Sequence, residues 1–183
     1  MSATPRFLAA PELETGRLRL SGFTLDDIDD LLQIYGDPLV MRYISRGVRT
    51  REETAAALAD QIEHWRRHGV GMWAVREKTG GSLIGRCGLH MLDRTEEVEV
   101  GYTLAHSAWG KGYATEAARQ ALRFGFDDVG LERIVAVAQP ANTASRRVME
   151  KIGMHFEKDA YFYDSIVVYY AITCEEYSAR SGS

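Results

Sequence analysis

Cysteine is nearly absent from this chain. The two present, Cys87 and Cys174, stand far apart with no Cys or His spacing around them, which excludes a zinc pattern and a disulfide framework and suits a reducing compartment. Positive charge is not in excess either. Lys and Arg number 22 against 26 Asp and Glu, a net charge of −4, so no global basic field points to nucleic acid. No apolar stretch approaches the roughly 20 residues that cross a bilayer. The opening Met1-Ser2-Ala3-Thr4-Pro5-Arg6-Phe7 lacks the apolar core of a signal peptide. No membrane partner is expected, and a cytoplasmic location is. Repeats, linkers and low-complexity tracts are missing too. With 183 residues, 45% apolar and 26% charged, the chain reads as one globular domain over 12–177, with 1–11 and 178–183 as loose ends.

What is present concentrates in Trp109-Gly110-Lys111-Gly112-Tyr113-Ala114-Thr115-Glu116-Ala117. An alternating run, Val98 to Leu104, precedes it, and a helical pattern from Tyr113 to about Asp127 follows. A strand, a glycine loop and a helix start together hold phosphate: unpaired N–H groups point outward and the helix dipole favours an anion. Gly110 and Gly112 let the backbone approach a ligand with no Cβ in the way, and Lys111 adds mobile charge. The loop reads as a pyrophosphate cradle. Two nucleotide alternatives fail on spacing. A Walker loop needs Gly at position 105 and Ser or Thr after Lys111, where Ala105 and Gly112 stand; a dinucleotide fingerprint needs a third Gly where Thr115 stands.

The rest of the pattern predicts an α+β protein with a mixed, mostly antiparallel sheet of about seven strands and helices on both faces. The strands are Arg17 to Gly22, Met72 to Lys78, Ser82 to Met91, Glu97 to Leu104, Arg133 to Ala138, Tyr161 to Tyr163 and Ser165 to Thr173. Helices are expected from Thr24 to Tyr35, from a Thr50/Glu53 capping box to His68, after Gly112, and from Ala144 to Ile152. His64 and His68 share a helix face, but no third ligand is evident and no metal is expected.

These segments resemble, in order, the GNAT N-acetyltransferase superfamily, in its RimJ/RimL-like branch of ribosomal-protein N-terminal acetyltransferases. The carrying motifs are Leu13-x-Thr15-x-Arg17-Leu18-x-Leu20, Asp37 to Tyr43, Ile84-Gly85-x-x-Gly88-Leu89, Glu99 to Tyr102, the Trp109 to Ala114 loop, and Asn142-x-x-Ser145-x-x-Val148 to Met154. The resemblance implies a single GNAT domain whose fourth and fifth strands splay to admit the acyl-pantetheine arm of acetyl-CoA. The arm would meet the backbone of Tyr102 and Leu104. The pyrophosphate would lie on the loop (Trp109, Gly110, Lys111, Gly112, Tyr113, Ala114 and Thr115), and Asn142 would touch the arm. It further implies transfer to a primary amine, with a protein N-terminus as acceptor, by a monomer or homodimer. Small-molecule amine acetylation and a non-catalytic CoA sensor are the alternatives.

Amide formation from a thioester needs a neutral amine, a donor for the oxyanion and a proton for the thiolate. Glu99 is the first candidate base and Glu97, on the same strand face by the two-residue period, the second. Either could instead be a solvent-face residue. The resemblance also implies Ser145 as thiolate donor, while the tyrosine that many members carry slightly further on is missing from positions 147–151; Asn142 also reads as a plain helix N-cap. Arg42, Arg46, Arg49 and Arg51 could recruit an acidic acceptor or coat a solvated loop, and His90 is assigned no role.

Overall fold

Residues 7–181 are described in the computed structural model. Eight strands form one sheet in the order β1-β2-β3-β4-β5-β6-β8-β7. They are β1 (Leu13–Glu14), β2 (Leu18–Ser21), β3 (Met72–Glu77), β4 (Leu83–Met91), β5 (Val98–Leu104), β6 (Arg133–Ala138), β7 (His155–Phe162) and β8 (Ser165–Thr173). The helices are α1 (Ile28–Tyr35), α2 (Pro38–Met41), α3 (Arg51–His68), α4 (Tyr113–Arg123), α5 (Thr143–Lys151) and α6 (Cys174–Ser181). A 3-10 turn, Leu25–Asp27, leads into α1, and a π turn, Phe124–Val129, ends α4.

Two cores lie on opposite faces of the sheet. On one, Ala117, Ala118, Ala121 and Leu122 of α4 let the helix settle close against Cys87, Leu89 and Val100. On the other, Leu31, Ile34 and Tyr35 of α1 and Leu58 of α3 pack on Met72 and Ala74. The expected caps are in place: Glu53 N donates to Thr50 Oγ1 at 3.3 Å, Thr50 N to Glu53 Oε2 at 2.9 Å, and Gly69 closes α3 at φ +69°.

The order departs from a plain meander at one junction. All strand pairs are antiparallel except β5 with β6, which are parallel and share a single register pair, Glu99 with Val135. Past Glu99 the backbone of β5 has no β6 partner, so the sheet opens there.

Several boundaries differ from the sequence reading. The strand count is eight rather than about seven, through the two-residue β1 paired to β2. β7 begins at His155, not Tyr161; its first residues are solvent-exposed on both faces at the sheet edge, so no buried alternation marks them. The loose ends expected at 1–11 and 178–183 fall partly outside the described residues. Within them, Phe7 packs on Phe124 with centroids 5.0 Å apart, Trp73 Nε1 donates to Pro11 O at 2.7 Å, and 178–181 complete α6. A box between Thr173 and Glu176 starts that helix, Thr173 N donating to Glu176 Oε2 at 2.8 Å.

Candidate active site

The glycine loop leaves β5 through a short 3-10 turn and enters α4 with both glycines in the left-handed region, Gly110 at φ +75° and Gly112 at φ +81°. Gly112 stands at the N-cap with no side-chain cap, and the N–H groups of Tyr113, Ala114 and Thr115 have no acceptor among the described residues. A Cβ at Gly110 would meet nothing within 4 Å, so the backbone there faces open space. Glu116 locks the helix start to β2: its carboxylate accepts from Thr15 Oγ1 at 2.5 Å, Arg17 N at 2.9 Å and Arg17 Nε at 2.8 Å. Arg17 also donates to Lys111 O at 2.9 Å and lies over the Tyr113 ring, while Lys111 Nζ sits 4.0 Å from Glu77. Trp109 is half exposed, and its indole donates to Leu104 O at 2.9 Å, which already occupies one acceptor site on that carbonyl.

Where β5 and β6 part, a cavity of about 430 Å³ runs through the sheet, lined from α5 by Asn142, Ser145 and Met149 and from the opposite face by α3 and β4. Asn142 is the N-cap of α5, its Oδ1 accepting from Ser145 N at 3.1 Å. That fixes Ser145, whose Oγ and carbonyl oxygen both lie 3.0 Å from Tyr102 Oη. Burial, more than any other cause, pushes the Tyr102 phenol up, so it stays protonated as a hydrogen-bond donor. A phenol thus reaches the Ser145 hydroxyl from β5, not from positions 147–151.

Glu99 is buried, 5% exposed, in the same cavity. Its Oε2 accepts from Tyr163 Oη at 2.7 Å and lies 3.3 Å from His90 Nε2, and His90 Nε2 is 3.3 Å from Tyr163 Oη. His90 is the cross-strand neighbour of Glu99, and Gly101 keeps room for it, since a Cβ there would come 2.9 Å from His90 Cε1. Tyr163 arrives from the β7–β8 turn, where Tyr163 (φ +51°) and Asp164 (φ +57°) both adopt left-handed backbone. Burial, then the Glu99 charge, raises the Tyr163 phenol far above its ordinary range. His90 and Tyr163, to which the sequence assigned no chemistry, therefore complete the surroundings of Glu99.

Glu97, the second candidate base, does not line this cavity. Its Oε1 accepts from Tyr169 Oη at 2.6 Å and lies 3.9 Å from Arg133. The two-residue period keeps it on the Glu99 face, but it precedes β5 and is carried to β8 instead. Of the arginines near the first loop, Arg46 and Arg49 line the cavity; Arg51 is paired to Asp29 at 2.6 Å and Arg42 is exposed.

The Acetyltransferase (GNAT) domain family matches residues 17–155. The Bacillus subtilis protein YkkB is 35% identical over 155 residues, 82% of this chain and 88% of its own. The N-acetyltransferase YnaD, also of Bacillus subtilis, is 32% identical over 174 residues, 91% of this chain and 99% of its own. Among solved structures, a GNAT-family acetyltransferase from Bacillus anthracis superposes with a TM-score of 0.79 at 32% identity, over 90% of this chain and 99% of the other. The open sheet, the glycine loop at a helix start and these matches agree, and the chain belongs to the GNAT acetyltransferase family.

Proposed function

We propose that this chain moves an acetyl group from acetyl-CoA to a primary amine by direct attack, both substrates bound together. The buried Glu99 carboxylate at the mouth of the split sheet carries this reading. The residues present fit acetyl-CoA. The glycine loop offers unpaired N–H groups to a pyrophosphate (Gly110 to Thr115, flanked by Trp109), and the opened edge of β5 from Tyr102 to Leu104, with Asn142 across the gap, suits an extended arm. The co-substrate supplies an activated thioester carbonyl.

The chain's own residues do the proton work. Glu99 takes the proton that an α-amine, with a pKa near 8, must lose before it can attack. Tyr163 and His90 hold the carboxylate oriented toward the cavity. The Tyr102 and Ser145 hydroxyls stand together at the α5 side of the gap, placed to donate to the departing sulfur. No step needs a covalent acyl-enzyme. Cys87 is fully buried with its thiol pushed up to about 12, mainly by burial, which disfavours the nucleophilic thiolate.

A peptide or protein N-terminus is the acceptor favoured by the collinear RimJ/RimL-like segments. Acetyl-CoA-dependent thiol release against free-N-terminal peptides, N-blocked lysine peptides and small amines tests it. Release only with free N-termini supports this acceptor, and release confined to small amines replaces it. Absence of release together with absence of acetyl-CoA binding would sink the cradle itself.

A further inference from the structure

We propose that Arg49 and Arg86 form an anion subsite in the acceptor half of the cavity, and that the acceptor amine carries a carboxylate bound there. The assignment to an acceptor rests on the acetyl-transfer reading; the subsite itself does not.

Among the described residues, five buried side-chain polar atoms have no hydrogen-bond partner: Arg49 Nε, Gln61 Oε1, His64 Nε2, Arg86 Nε and His90 Nδ1. All five belong to residues lining this one cavity. Folded proteins satisfy nearly all such atoms, so orphans gathered in one wall mark a surface shaped for a polar ligand.

Two of the five are guanidinium nitrogens on different elements. Arg49 comes from the loop before α3 and Arg86 from β4, yet both lie over the same Tyr35 ring, 4.7 and 5.7 Å from its centroid. Neither has an ion pair or a side-chain hydrogen bond among the described residues. Asp60, Asp93 and Glu99 also line the cavity, but none forms an ion pair with either arginine: Glu99 is bound by Tyr163 at 2.7 Å, and Asp60 and Asp93 make long surface pairings with Arg67 at 3.9 Å and Arg94 at 3.5 Å; Glu53 accepts from Thr50 N at 2.9 Å. Burial first, then the like charges of Arg86 and Arg46, weigh against the Arg49 charge, and Tyr35 and Glu53 offset them only in part. Partly buried cations held together without a counter-ion are costly, and a carboxylate across their planar forks offsets that cost.

The register gives the ligand its shape. Arg86, Gly88 and His90 alternate onto one face of β4, opposite Thr103, Gly101 and Glu99 of β5. The arginines thus stand at one end of this face and Glu99 with His90 at the other. The four-residue offset is roughly 13 Å along the strand, bridged by two glycines. An acceptor lying along that glycine floor delivers its amine to Glu99 while its carboxylate, several bonds away, meets the guanidinium pair. A side-chain carboxylate on an N-terminal residue and a free ω-amino acid share this chemistry.

Calorimetry on the full chain separates these without turnover. The probes are N-acetyl-Glu-Ala-Ala-amide against N-acetyl-Gln-Ala-Ala-amide, and 4-acetamidobutyrate against 4-acetamidobutyramide. We expect the acid to bind at least tenfold tighter than its amide in one pair, which pair telling peptide from free amino acid. Arg49→Gln and Arg86→Gln should bring the ratio near one. Arg86→Lys, keeping charge without the fork, should recover part of it and guards against loss of fold. Equal or undetectable binding of acid and amide in both pairs overturns the subsite. Acid preference with no CoA release from any amine leaves the subsite standing and sinks the transfer reading; transfer with no acid preference does the reverse.

Discussion

The Tyr163 hydroxyl donates to Glu99 Oε2 at 2.7 Å across 64 residues of sequence, from a left-handed backbone that a bulky side chain such as tyrosine rarely adopts. Such a contact is held by the surrounding packing. Tyr163→Phe should leave the fold intact and lower kcat/KM by about tenfold, the worth of one charge-assisted hydrogen bond. Glu99→Gln should cost roughly 10²–10⁴-fold in kcat with acetyl-CoA affinity retained. Steady-state kinetics beside calorimetric binding checks both, and unchanged kcat in the glutamine variant would remove Glu99 as base.

Asp164, the second residue of the same turn, sits at φ +57° and, among the described residues, pairs with Arg94 at an exposed 3.7 Å. An exposed pair of that length contributes little. Asp164→Gly should therefore stabilise the protein by about 0.5–1 kcal/mol through relief of the left-handed backbone. Urea melts of the two proteins decide it.

Tyr102 Oη meets both Ser145 Oγ and Ser145 O at 3.0 Å. Tyr102→Phe should lower kcat by about 10–100-fold with little change in the KM for acetyl-CoA, as expected for a group engaged at the leaving sulfur. Ser145→Ala should cost less. The double variant should cost less than the product of the two, since the hydroxyls act as one unit. A raised KM with unchanged kcat would reassign the pair to binding.

Gly112 at φ +81° and Gly130 at φ +80° make a matched pair, one in the cradle and one beyond α4. Replacing either by Ala forces an L side chain into left-handed backbone, costing about 1–2 kcal/mol of stability. Only Gly112→Ala should also weaken acetyl-CoA binding, by about tenfold, because the proposed pyrophosphate cradle includes Gly112 and not Gly130. Equal affinity losses, or none, would count against the cradle.

His64 is held at a pKa of about 4, chiefly by burial and next by the like charges of His68 and His90. The folded value lies below the ordinary 6.5, so on acidification the unfolded chain takes the proton first. The stabilising contribution is present above pH 6.5 and is lost as the pH falls toward 4. Urea unfolding at pH 7, 6 and 5 should show a decline of roughly 1–2 kcal/mol that His64→Gln flattens.

The parts of this molecule readable in one dimension are those whose physics is local. The glycine loop, the Thr50/Glu53 box and the Asn142 cap each act within a few residues, and each is in place. Glu99 is legible as an acid on an alternating strand shortly before the glycine loop, with a solvent face equally open to it, but its burial and its contacts with His90 and Tyr163 come only through the β4–β5 register and a distant turn. The Tyr163-Asp164 turn carries none of the Asn-Gly chemistry that marks such hairpins, so nothing local announced it. Glu97 misled for a related reason: period two fixes the face of a strand, not how far along that face the cavity reaches. α6 does carry a local signal, the Thr173-x-x-Glu176 box at its start.

The lone register pair between β5 and β6 also divides the sheet into two halves. Strands β1 to β5 and β6 to β8 meet in the sheet at the single pair of Glu99 and Val135, while a core shared under α4 and the Tyr163–Glu99, Tyr169–Glu97 and Tyr102–Ser145 contacts bind the two halves across the seam. Whatever occupies the seam touches both halves, so occupancy and rigidity are coupled. A ligand that binds only the closed arrangement stabilises it by mass action, and slowed amide exchange on both sides of the seam is the form that coupling takes. If acetyl-CoA lies in the seam, as proposed, exchange protection would rise together in both halves of the sheet on binding.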